Sequence, residues 1–129
     1  MPKFKLNKLV RDKLPTDYAL TGQKATYRVL TPFEHKSELI RKIIEEASEI
    51  NIYNSNEEIV GEIADIQQVL DDLAFVCGID QDQINLIKQA KKDKKGGFKG
   101  GAFVDTLELS DSDEWVQYYR KRPDVFPEE

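Results

Sequence analysis

Apolar residues recur at helical spacing through the middle of the chain. Leu39, Ile40, Ile43, Ile44, Ala47 and Ile50 fall on one arc, the stripe of an amphipathic helix. Its start is marked by Thr31-Pro32-Phe33-Glu34: Thr31 suits the N-cap, Pro32 the first helical position, and Glu34 closes a capping box. The pattern predicts a helix from Pro32 to about residue 53. Tyr53-Asn54-Ser55-Asn56 is a polar stretch suited to a helix–helix turn, and Ser55-Asn56-Glu57-Glu58 is a second capping box. It opens a helix predicted to reach Val76 and stop at Gly78. Ile59, Val60, Ile63, Ala64, Ile66, Val69, Leu70, Leu73 and Ala74 cover roughly 220° of its circumference, about twice what a surface helix needs. Such a helix is central or lies at an oligomer interface. Asp80 caps a third predicted helix through about Lys94, ended by Gly96-Gly97.

The flanks are less regular. Residues 1–15 are basic, end at Pro15 and are too short for an independent helix. Ala25–Leu30 follows a Thr21-Gly22 turn signal and reads as a short strand, with residues 98–109 (Phe103, Leu107, Leu109) as its pairing partner. Asp113 to Arg120 suits a short helix carrying Trp115, Tyr118 and Tyr119. The expected fold is mainly α: an antiparallel helix hairpin in a four-helix-bundle-like core, with a small β element possible, in one domain of 129 residues.

Four carboxylates are placed symmetrically in that hairpin. Glu46 and Glu49 lie three residues apart on the first helix, Glu62 and Asp65 three apart on the second. Each pair shares a face, roughly 60° apart in projection and about 4.5 Å apart along the axis. In an antiparallel hairpin, level residues have numbers with a constant sum. Glu46 with Asp65 and Glu49 with Glu62 give the same sum, and its midpoint falls between Ser55 and Asn56, in the turn. All four are expected to converge, and their repulsion calls for a cation. Glu62 also projects inside the apolar arc, where an unpaired carboxylate is costly.

Composition narrows the cation. One histidine (His35) and one cysteine (Cys77) leave little for a zinc cluster, a His-based iron site or Ser-His and Cys-His nucleophilic machinery. Carboxylates alone favour Mg²⁺, with Mn²⁺ possible, and there is no EF-hand loop for Ca²⁺. His35 reads as a first-turn surface residue and Cys77 as a buried structural thiol. The single cysteine fits a reducing cytoplasm, and no apolar run approaches the roughly 20 residues of a membrane span. The net charge of −5 hides an acidic centre between two basic segments: residues 34–72 hold 11 acidic and 3 basic groups, whereas 1–13 and 88–99 are net basic. This suits a polyphosphate ligand better than a nucleic-acid polymer, the metal taking some phosphate oxygens and lysines the rest. Solvated charge on separate faces is the plainer alternative.

Three segments together resemble the MazG-like all-α nucleoside triphosphate pyrophosphohydrolases, a family overlapping phosphoribosyl-ATP pyrophosphohydrolase-like proteins. They are Lys8-Leu9-Val10-Arg11-Asp12-Lys13-Leu14-Pro15, the pair Glu46-x-x-Glu49 with Glu62-x-x-Asp65, and Lys94-Lys95-Gly96-Gly97-Phe98. The resemblance implies hydrolysis of a nucleoside triphosphate, or a related phosphoribosyl nucleotide, between the α and β phosphates. It implies Mg²⁺ on Glu46, Glu49, Glu62 and Asp65, with Glu46 as a catalytic candidate. Glu45, next to these carboxylates but turned about 100° from Glu46, is a candidate to support the metal or activate water. Arg11, Lys13, Lys91, Lys94 and Lys95 are the substrate-binding candidates. The family often carries arginine where this chain has Lys95, and a lysine meets phosphate as a point charge rather than as a fork. Such proteins commonly assemble as homodimers or homotetramers, which agrees with the wide apolar arc. Trp115, Tyr118 and Tyr119 suit packing of the tail onto the core, or stacking on a base. The contrasting expectations are a non-enzymatic acidic helical interaction protein, docking a basic partner, and a regulatory metal sensor.

Overall fold

Two reciprocal capping boxes set the frame. The Thr31 hydroxyl accepts from the Glu34 N–H at 3.3 Å while the Glu34 carboxylate accepts from the Thr31 N–H at 3.3 Å. Ser55 and Glu58 exchange the same two bonds at 3.2 Å each. A computed structural model describes residues 1–129 and shows five helices: α1 (Leu14–Leu20), α2 (Pro32–Ser48), α3 (Asn56–Val76), α4 (Gln81–Lys95) and α5 (Trp115–Arg120). The chain divides into two compact units, residues 1–93 and 94–129.

In the first unit α2 and α3 form the predicted hairpin and are the one closely packed helix pair. One residue from each, Leu39 and Ala74, makes up the buried apolar core. α3 stops where expected: Gly78 takes φ +68°, a left-handed turn that glycine enters without steric cost, and Ile79 N–H returns to the Ala74 carbonyl. α2 ends at Ser48, earlier than the stripe suggested. Asn54 Oδ1 accepts from the Asn51 N–H and Asn51 Oδ1 accepts from the Tyr53 N–H, so side-chain acceptors take over from the helical ladder.

Two expectations are corrected. Pro15 does not end the basic segment but opens α1, since a proline in the first turn gives up only an N–H that would be unpaired there. No strand forms at 25–30 or 98–109. The first segment is tied instead through Arg28, which donates two bonds to Glu34 (3.1 and 2.8 Å), and neither segment makes a backbone ladder. α4 adds little to the hairpin, in keeping with the expectation that a third helix could not cover α3: its apolar positions are sparse, and Leu86 and Ile87 stay exposed.

In the second unit α5 folds as the sequence suggested, and its aromatics pack on one another. Tyr118 meets Trp115 and Tyr119 edge-on at 5.2 Å between ring centres, and Tyr119 meets Phe126 at 5.0 Å. Arg120 closes this small cluster through Glu128 at 2.6 Å.

The Arg28 guanidinium, followed by the Thr31 cap, holds the Glu34 carboxyl down to about 2 from its ordinary 4.5. A depressed carboxyl stabilises the fold above its unfolded pKa and loses that contribution as pH falls through the folded one. Wild type should therefore outlast Glu34→Gln in urea above pH 4.5. The gap should close toward pH 2. Parallel urea midpoints across that range would show that the pair contributes nothing.

Candidate metal centre

The hairpin brings three of the four carboxylates into one group, and Glu49 is grouped with its helix neighbours Glu45 and Glu46 instead. Oxygens of Glu46 on α2 and of Glu62 and Asp65 on α3 all lie within 4.8 Å of one another. Glu45, Glu46 and Glu49 form a second group within the same limit. Glu46 belongs to both groups and is the most buried charged side chain, with 9% of its surface exposed. Glu49 joins at the C-cap of α2, where its backbone N–H bonds the Glu46 carbonyl and its side chain stays exposed.

Glu62 carries the least satisfied group of the site. Its Oε2 is buried and has no hydrogen-bond partner. Burial first, then the negative charges of Glu49 and Glu46, push its carboxyl above the usual carboxylate range. An ionised carboxylate in this position lacks a counter-charge on one oxygen, and a cation or a proton would supply it. The donor set of each group, three carboxylates and oxygen only, fits a hard divalent ion such as Mg²⁺ or Mn²⁺.

Three basic side chains border the cluster. Lys8 Nζ donates to Glu45 at 3.0 Å, Arg11 Nη2 donates to Asp65 at 2.6 Å, and Lys42 Nζ lies 3.7 Å from both Glu45 and Glu46. The Lys8 hydrogen bond is the main cause that holds Glu45 below the usual carboxylate range, with Lys42 adding to it. Glu45 is thus kept ionised beside the cluster, at some cost in strength as a base. Lys42 was readable in principle, because it stands three and four residues before Glu45 and Glu46 on one helix. Lys8 had no such local signal: it reaches the site from 37 residues away.

The remaining basic residues singled out from the sequence are not gathered in the same way. Lys13 occupies the N-cap of α1, exposed and without an ion pair. Lys91 lines a shallow groove along α4 with Ile79, Ile84 and Ile87, and makes no ion pair. Lys94 and Lys95 form the exposed end of α4, where Gly96 at φ +82° breaks the helix, and belong to the second unit. His35 is half-buried in the first turn of α2, and Cys77 is a free, half-buried C-cap residue of α3 rather than a core thiol. No helix is long and apolar enough to cross a membrane. No known protein family matches the chain, and neither a curated protein nor a solved structure does.

Proposed function

We propose that this chain is a Mg²⁺-dependent nucleoside triphosphate pyrophosphohydrolase of MazG-like type, giving a nucleoside monophosphate and pyrophosphate. The observation that carries the reading is the meeting of Glu46, Glu62 and Asp65 from two helices around a buried, unpartnered Glu62 oxygen. Glu46, Glu49, Glu62 and Asp65 would hold the cation. A bound Mg²⁺ offsets phosphate charge and makes a neighbouring water a stronger nucleophile. Glu45, ionised beside the cluster, is suited to accept a hydrogen bond from that water and orient it. Arg11, beside the cluster, is the cation offered to the polyphosphate there, whereas Lys13, Lys91, Lys94 and Lys95 enter the proposal through the family resemblance alone.

An acidic docking surface is the weaker reading. Such a surface would display its carboxylates, whereas Glu46 is buried and Glu62 has a buried oxygen. A homodimer or homotetramer is part of the proposal, supported by apolar side chains that the single chain leaves in water, among them Ile44, Val60, Ile63 and Leu70.

A panel of nucleoside triphosphates incubated with Mg²⁺ should yield monophosphate and pyrophosphate from at least one member. Diphosphate with orthophosphate would mean cleavage at the γ-phosphate and a different reaction class. Lys94→Ala and Lys95→Ala should impair triphosphate turnover while leaving Mg²⁺ binding near wild type. Equal loss of both would indicate damage to the fold rather than to phosphate recognition.

A further inference from the structure

The basic segment before α1 is fastened to both helices of the hairpin through the site's own carboxylates. Asn7, just before the two basic contacts, has φ +46°, an uncommon left-handed value for a residue other than glycine. Lys8 then reaches Glu45 on α2 and Arg11 reaches Asp65 on α3, at 3.0 and 2.6 Å, with Leu9 and Val10 half-buried between them. The two cations therefore flank the cluster from one short strap. Glu46 and Glu49 also act on Lys8, helping to raise its pKa.

Asp65 is the decisive residue, since it is at once the acceptor for Arg11 and a member of the group with Glu46 and Glu62. We propose that residues 7–11 are an exchangeable counter-ion strap. Arg11 neutralises Asp65 in the metal-free protein, is displaced when a divalent cation takes the carboxylates, and is then free to meet the phosphate that the cation brings. Both partners of the Arg11–Asp65 pair are well exposed, at 62% and 41% of their side-chain surface, so the bond is weak enough to exchange. A surface ion pair of this kind sets the scale of the competition at roughly two- to fivefold in affinity. The proposal rests on the metal reading above, and its test separates the two.

The test uses the full chain with Mg²⁺ alone. The Arg11 guanidinium Nε–H signal is assigned in ¹⁵N NMR by its loss in Arg11→Lys. It should be restrained without metal and become mobile at saturating Mg²⁺. By titration calorimetry, Arg11→Met should bind Mg²⁺ roughly two- to fivefold more tightly than wild type. A signal that stays restrained in the metal-loaded protein would overturn the strap while leaving the metal site standing. Weaker Mg²⁺ binding by Arg11→Met would also overturn it, and would make Arg11 a residue that holds Asp65 in position for the metal. Absence of Mg²⁺ binding in wild type and variant alike would bring down both readings.

Discussion

Glu46→Gln should abolish divalent-cation binding and, with it, triphosphate hydrolysis. Glu46 is the one carboxylate common to both groups of the cluster, so its loss leaves neither group complete. The amide keeps the shape but supplies no charge. Removing a residue that only supports a metal ligand typically costs 10–100-fold in affinity, and removing the shared carboxylate itself should exceed that range, roughly 100-fold or more. Asp65→Asn and Glu49→Gln should weaken binding strongly as well. Glu62→Gln should cost affinity yet raise the stability of the metal-free protein, because it removes a charge from a buried oxygen without a partner. The pH dependence has a definite sign. Glu62 has a folded pKa above its unfolded value, so its protonation favours the fold at low pH. That contribution is complete below about 4.5, the ordinary value, and is lost as pH rises through the raised one. Metal-free wild type should therefore lose stability relative to Glu62→Gln as pH rises above 4.5, and saturating Mg²⁺ should reverse the loss. Isothermal titration with thermal melts over pH decides both points. Wild-type affinity in Glu46→Gln would remove the metal site outright, and lower metal-free stability in Glu62→Gln would make Glu62 half of a structural ion pair.

What could be read from the chain divides along a physical line. The hairpin and its cluster depend on local signals: two capping boxes, a regular stripe, and a turn at the midpoint of two equal sums. Both helix starts and the meeting of Glu46 with Glu62 and Asp65 follow from these. The features that were not legible depend on contacts across long separations. The bond from Arg11 to Asp65 spans 54 residues, and no spacing rule connects them. The strand reading of 25–30 rested on β-favouring residue types, but a strand also needs a neighbour, and composition does not supply one. The early end of α2 is a subtler case. Ile50 continues the stripe, yet Asn51 and Asn54 offer the backbone nearer acceptors than the next helical turn.

The second large effect is expected from the apolar surface the single chain leaves uncovered. On the hairpin, Ile44 and Val60 are 67% and 66% exposed, and Ile63 and Leu70 are 44% and 46% exposed. On α3, Val60, Ile63 and Leu70 lie at seam spacing along one side, with polar Gln67 at the intervening position. Hairpin against hairpin would complete a four-helix core that α4 does not supply, with the carboxylates carried on the same helices. An interface of the obligate kind buries roughly 1,000–2,500 Å² per chain. Ile44→Lys combined with Val60→Lys distinguishes the cases sharply. On a monomer surface each change costs no more than about 0.5 kcal/mol. In a two-fold assembly each occurs twice and forfeits about 1.5–3 kcal/mol of burial, roughly 6 kcal/mol or more in all, comparable with the whole stability of a domain. Wild type should scatter light as a dimer or tetramer, with a thermal midpoint that rises with protein concentration, since subunit loss and unfolding are then one event. The double variant should be monomeric or unfolded at low micromolar concentration. A monomeric wild type with a concentration-independent midpoint, matched by a double variant of near-normal stability, would defeat the assembly and leave the hairpin's apolar face without a covering subunit.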